Sequence, residues 1–205
     1  AASGRKKLME KMLENPDKEN LGIDKFPPEK AIYLSCIKQL GLHQYHEETD
    51  TWVFDFPKLD NTTEVGNKNL EHVSKLFERG YQVFTDNKSL VPLTELYKVW
   101  SDSPFGIPQG LLPIFALTLL LAKESSLAFY DKDVTQEFKF ISDIDEEYIN
   151  KLVKRPHEVA VKYIKEPAEK NRFINLLANS IEYIFEKSVE ATPLSVARFL
   201  VSYTV

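Results

Sequence analysis

The sequence predicts a mostly helical α+β fold, and three observations lead to it. Apolar residues recur at helical spacing through most of the chain, as in Glu29 to Leu40 and Glu169 to Glu186. Short alternating runs bounded by turn residues, above all Leu127–Tyr130 and Glu137–Phe140 around Asp131-Lys132-Asp133, read as a β-hairpin. Glycine is scarce: seven among 205 residues leave few positions for left-handed turns, which disfavours a sandwich of many hairpins. A hydrophobic content of 43% with 12% aromatic residues supplies a packed core and argues against disorder.

The elements follow in chain order. Ala1-Ala2-Ser3-Gly4 carries no predicted element, and Lys6 to Glu14 forms a helix with Leu8, Met12 and Leu13 on one face, stopped by Asn15-Pro16. Pro28 suits the first turn of the next helix, about Glu29 to Leu40, which buries Ala31, Ile32, Tyr33, Leu34 and Ile37 and ends at Gly41. Trp52-Val53-Phe54 with Phe56 reads as a strand closed by Pro57. Asp60 to Asn69 is polar and turn-rich and reads as a linker; Leu70 to Arg79 is a helix stopped by Gly80, and Tyr81–Phe84 a short strand.

Pro92 to Trp100 is the next helix. Gly110 to Lys123 is apolar nearly all round, interrupted by Thr118, and so predicts a helix buried on most sides. Beyond the hairpin, Ser142 is the expected cap of a helix running to about Lys154, with Asp145, Glu146 and Glu147 where a helix dipole favours acid. Val159, Val161 and Tyr163 alternate as a strand, and helices over Glu169–Glu186 and Pro193–Tyr203 close the chain as a helical pair. The helix, helix, buried helix, hairpin order within 92–140 is winged-helix-like, and Glu29 to Phe56 has part of the same layout. Three units are expected, at 1–59, 70–141 and 142–205, with a single compact domain as the alternative.

Composition limits function. A net charge of −5 disfavours a general phosphate-backbone binder. Leu111 to Ala122 offers Thr118 alone to a base edge, and Leu90 to Phe140 holds four lysines against six acids. The buried-helix reading is therefore preferred to a DNA-reading helix. If DNA is nonetheless a partner, Arg5, Lys6, Lys7, Lys151, Lys154 and Arg155 are the candidate contacts.

Cys36 stands alone, with no histidine at helical spacing to activate it, and reads as a small core residue. A single cysteine, no leader pattern and no apolar run near 20 residues point to a cytoplasmic protein without a membrane partner. His43 and His46, followed by Glu47, Glu48 and Asp50, read as a solvated loop rather than a metal site; His72 and His157 read as surface residues. The acids Asp143 to Glu147 lack the glycine of a calcium loop. Walker, dinucleotide-binding, zincin and nucleophile-elbow motifs are absent, so no catalytic, cofactor or metal residue is assigned. The apolar ending Phe199-Leu200-Val201-Ser202-Tyr203 predicts that the chain continues in a longer protein, with Phe199, Leu200, Val201 and Tyr203 packing against it.

Leu21-Gly22-Ile23, Phe26-Pro27-Pro28-Glu29-Lys30 with Tyr33, and Gly41-Leu42-His43 resemble one stretch of certain very large bacterial ATP-binding proteins. Those proteins are similar to P-loop ATPases that occur with phage-defence systems. The run from Pro104-Phe105-Gly106-Ile107 to Pro113, followed by Leu127-Ala128-Phe129-Tyr130, resembles their next stretch. The resemblance extends from Lys7 to Val205. It implies a non-catalytic region beyond the ATPase core, whose partners are other domains of a parent protein. No catalytic residue carries over, because that family's nucleotide motifs would lie outside this chain. An interaction or regulatory module is therefore the expected function, with a winged-helix nucleic-acid-binding domain as the alternative and an enzyme of unrecognised class behind both.

Overall fold

Helix α5, Leu112–Ala122, is the axis of the fold, and Leu112 to Leu120 are buried without interruption. A helix with no polar face has to be surrounded on all sides. Thr118 is accommodated because its hydroxyl donates to the Ile114 carbonyl at 2.9 Å, and Pro113 falls in the first turn, where no amide hydrogen is required. The computed structural model describes residues 2–57, 64–164 and 171–204, with side chains at all of these except 64–68, 171–173, 203 and 204. The fold is α+β and mostly helical.

Around α5 pack α1 (Ala2–Glu14), α3 (Glu64–Thr85), α4 (Leu93–Ser101) and α6 (Glu146–Lys154). Helix α1 begins ahead of the expected Lys6, and Gly4 is buried within it. Helix α2 (Pro28–Tyr33) runs into a π-helical turn over Leu34–Lys38; Tyr33 and Ile37 are its buried side chains, whereas Ala31 faces solvent. Gly41 follows with φ +65°, the left-handed geometry that its reading as a helix end required. Strands β1 (His43–His46) and β2 (Thr51–Phe54) then form an antiparallel ribbon with His43 opposite Phe54. The segment expected to be solvated loop at His43 and His46 is thus a strand.

Two further expectations fail along α3. Residues 64–69 are its first turns rather than linker, while 60–63 lie outside the described residues. Neither does the helix stop at Gly80: it continues through Tyr81–Phe84, so no strand forms there. Gly80 is a contact glycine. A Cβ built on it would lie 2.6 Å from Cζ2 of Trp100, whose indole N–H donates to the Leu76 carbonyl of the same helix at 2.9 Å. The missing side chain is what lets the α4 tryptophan lie flush on α3.

A four-stranded antiparallel sheet completes the body, in the order β3 (Val91–Pro92), β6 (Val159–Tyr163), β4 (Leu127–Lys132), β5 (Phe138–Ile141). The hairpin β4–β5 pairs Phe129 with Ile141 as far as Lys132 with Phe138. Strand β6 inserts between β3 and β4, so the sheet joins residues on both sides of the boundary expected at 141/142. One core runs from Leu8 to Val161. The cap of α6 is Asp145, not Ser142: its carboxylate accepts from the Tyr148 amide at 2.8 Å. Helices α7 (Asn171–Phe185) and α8 (Pro193–Thr204) form the expected closing pair and have a separate small core of Ile174, Ala178, Ile181 and Val196.

Candidate functional site

Most buried polar side chains of the body are committed to holding it together. His43 points inward from β1 and is 2% exposed. Its Nδ1 accepts from the Tyr33 hydroxyl at 2.8 Å and its Nε2–H donates to the Pro16 carbonyl at 2.8 Å, which fixes one neutral tautomer. The ring stacks on Phe54 with centroids 4.5 Å apart. Burial pushes the imidazole pKa below its ordinary value, against the opposing effect of the Pro16 hydrogen bond. His43 is therefore a structural bridge between β1, α2 and the loop at Pro16. Among the described residues no group of three or more His, Cys, Asp or Glu is placed to hold a metal. Cys36 is half-buried and packs against the core.

Lys151 is the second such group. Its ammonium donates to Asp131 at 2.6 Å and to the Lys132 carbonyl at 3.0 Å, with Glu147 at 3.4 Å, pinning α6 to the end of β4. Burial opposes the charge, but the Asp131 hydrogen bond and charge outweigh it and raise the lysine pKa.

The cations expected as nucleic-acid contacts lie on two neighbouring helices, α1 and α6, with Arg155 just past the end of α6. Most are occupied. Arg5 donates to the Gly110 carbonyl at 3.3 Å, and Lys6 bridges to Glu146 at 2.6 Å and Glu10 at 3.4 Å. Lys151 is withdrawn as described, and Arg155 pairs with Glu158 at 3.0 Å. Lys7 and Lys154 are exposed. His72 and His157 are exposed, as the sequence suggested.

The surface of the closing pair differs in kind. Leu176, Tyr183 and Ile184 of α7 are 59%, 89% and 66% exposed. Their spacing of seven and eight residues places them along one face, with Ser180 between them. On α8, Leu200 and Val201 are exposed, Phe199 is half-buried with its ring 5.3 Å from that of Phe185, and the Tyr203 side chain lies outside the described residues. A second apolar feature, on the body, is a groove of about 520 Å³ lined by Leu40, Val73, Leu76, Phe105, Ile107 and Leu111.

The sequence places Leu176 and Ile184 with the apolar face of an amphipathic helix and leaves Tyr183 off it, whereas the structure exposes all three. The apolar residues of α7 extend round more of the helix than one buried face requires, and the excess marks a second contact. Arg198 also went unnoticed, although a lone cation inside the apolar run Leu194 to Val201 was its signature. No protein-family model, no curated protein and no solved structure matches the chain.

Proposed function

We propose that the chain is a non-catalytic interaction module of a larger bacterial ATP-binding protein, and that α7 seats on another part of that parent. The exposed apolar face of Leu176, Tyr183 and Ile184 carries this reading. Large apolar side chains aligned along one helix face gain free energy when a partner covers them, and a helix face laid into a groove is a recurrent mode of recognition. The sequence resemblance supplies the identity of the partner: other domains of the parent, the ATP-binding core foremost.

The competing reading is a winged-helix DNA binder. Its support is the element order α4, α5, β4–β5, but α5, which would have to enter the major groove, has no exposed face toward which a base could approach. Only Lys7 and Lys154 among the six candidate cations are exposed and outside the pairings above.

Calorimetric titration of this chain with the separately produced ATP-binding core of the parent tests the proposal. Binding is expected, weakened at least about tenfold by Tyr183→Glu with Ile184→Glu, since burying an unpaired carboxylate costs more than one such factor. No binding to the core, together with salt-sensitive binding to duplex DNA, would transfer the function to the competing reading.

A further inference from the structure

The joint between the closing pair and the body is built unlike either core. The pair's own buried residues, Ile174, Ala178, Ile181 and Val196, share no member with the core of the body. Arg198 crosses between them. It lies on α8, is 8% exposed, and sends its guanidinium onto β4 and the turn Glu124–Ser126 that precedes it. Nη1 donates to the Glu124 carbonyl at 2.9 Å and Nη2 to the Leu127 carbonyl at 3.0 Å. The guanidinium carbon lies 4.6 Å from the centroid of the Phe129 ring, and Nη1 is 3.4 Å from the Glu124 carboxylate. A planar fork is needed to meet two carbonyls and a ring face at once.

Around this contact the two parts do not close. A cleft of about 350 Å³ separates Ser188, Glu190, Ser195 and Ser202 on the pair from Ser125 and Asp143 on the body. Glu124, Asp143 and Glu190 line the cleft with Arg198, and the charges of Glu124 and Asp143 act on the guanidinium. Burial and the two neighbouring acids push the Glu124 carboxyl up, with Arg198 acting against them. Without the arginine, like charges and two stripped carbonyls would face one another across the cleft.

We propose that Arg198 is the latch of a detachable helical pair: α7–α8 docks on the body through this side chain and separates from it while the body stays folded. Released, the pair retains among the described residues a core of Ile174, Ala178, Ile181 and Val196, with Leu177, Val189, Ala191 and Phe199 partly buried against it, far smaller than the core of the body. Undocking would also bare the Phe129 ring face and the carbonyls at the start of β4. The latch stands whatever partner the exposed face of α7 meets.

Hydrogen exchange read by mass spectrometry on the full chain tests it. In Arg198→Lys, amides of residues 174–199 are expected to exchange about tenfold faster or more, with those of α5, β4 and β6 at wild-type rates. Arg198→Ala should go further in the same direction. Asp143→Asn with Glu190→Gln, which keeps the arginine and relieves the repulsion of Glu124 by these two carboxylates, should slow exchange in the pair. Acceleration spread equally over α5 and β6 in Arg198→Lys would show that pair and body open as one unit and overturn the proposal. So would unchanged protection of residues 174–199 in both Arg198→Lys and the charge-neutralised variant.

Discussion

The body and the closing helical pair solve the same problem with very different means. In the body, Phe77, Trp100 and Phe115 meet with ring centroids 5.6 to 6.4 Å apart, over a helix with no polar face. In the pair, Ile174, Ala178, Ile181 and Val196 do the corresponding work, while Leu176, Tyr183 and Ile184 remain outside. Burial contributes roughly in proportion to apolar area, so the body holds nearly all of the stabilisation. The pair has little of its own and depends on what it docks against. Local stability is thus distributed unevenly, and the weakly held part also exposes Leu176, Tyr183 and Ile184 along one helix face.

That contrast breaks most visibly at Trp100. Trp100→Ala should destabilise the body by about 3–5 kcal/mol, because a fully buried indole leaves a cavity that neighbouring aromatic rings fill poorly. Urea unfolding followed by circular dichroism measures it. A loss under about 1 kcal/mol would mean that the aromatic cluster does not anchor the body. Gly80→Ala probes the same contact from the other side. In an ordinary helix this change stabilises by up to about 1 kcal/mol. Here the new methyl enters the Trp100 ring, so the expected sign is reversed, with a cost of about 1–3 kcal/mol. A gain in stability would show that α4 yields readily and that α3 and α4 are not closely fitted.

How much of this was legible depends on whether the cause is local or distant. The periodicity of α5, the hairpin β4–β5 and the alternation of β6 are local patterns and each formed, although Asp131 and Lys132, expected in the hairpin's turn, are the last residues of β4. Gly80 misled because glycine is the usual helix stop, whereas its reason for being there is a tryptophan 20 residues further on. Strand β1 was missed because its sequence, His-Gln-Tyr-His, carries no aliphatic alternation; its inward side chain is a histidine that becomes a core residue only through Tyr33 and Pro16. Strand β3, two residues long, exists only because β6 lies beside it. The candidate surface was half visible. The apolar ending Phe199 to Val201 stands out in the sequence, but Leu176 and Ile184 of α7 have the same helical spacing as the residues that face its core. Arg198 could not have been read as a latch, because the carbonyls it meets lie more than 70 positions earlier.

The polar bridge at His43 sharpens the comparison by giving the body a pH dependence. The folded imidazole pKa lies below 6.5, whereas the unfolded chain titrates near about 6.5. Above that value both states are neutral and the histidine has no effect on pH dependence. Below it the unfolded state takes up a proton that the native state refuses, so stability falls, by at most about 1.4 kcal/mol per pH unit, and levels off once the folded pKa is reached. Glu124, whose carboxyl is pushed up, contributes with the opposite sign. The decisive quantity is therefore the difference between wild type and His43→Asn in urea titrations at pH 7.5 and 5.5. The variant should start less stable and lose less on acidification. Parallel losses in both proteins would place the pH dependence elsewhere.

The smallest effect is expected on the face of α7, and its smallness is informative. Tyr183 is 89% exposed, so Tyr183→Ser removes almost no buried area. Thermal unfolding of the isolated chain should change by less than about 0.5 kcal/mol, the usual range for a surface substitution that touches neither a cap nor a buried contact. Serine is somewhat below tyrosine in apolar character but close to it in helix propensity, so the helix itself is not put at risk. If stability instead drops by more than about 1 kcal/mol, Tyr183 packs within this chain in solution and the face it shares with Leu176 and Ile184 is not open. If stability holds while binding to the ATP-binding core of the proposed parent weakens, the two regions separate by role: the body folds the chain, and α7 connects it.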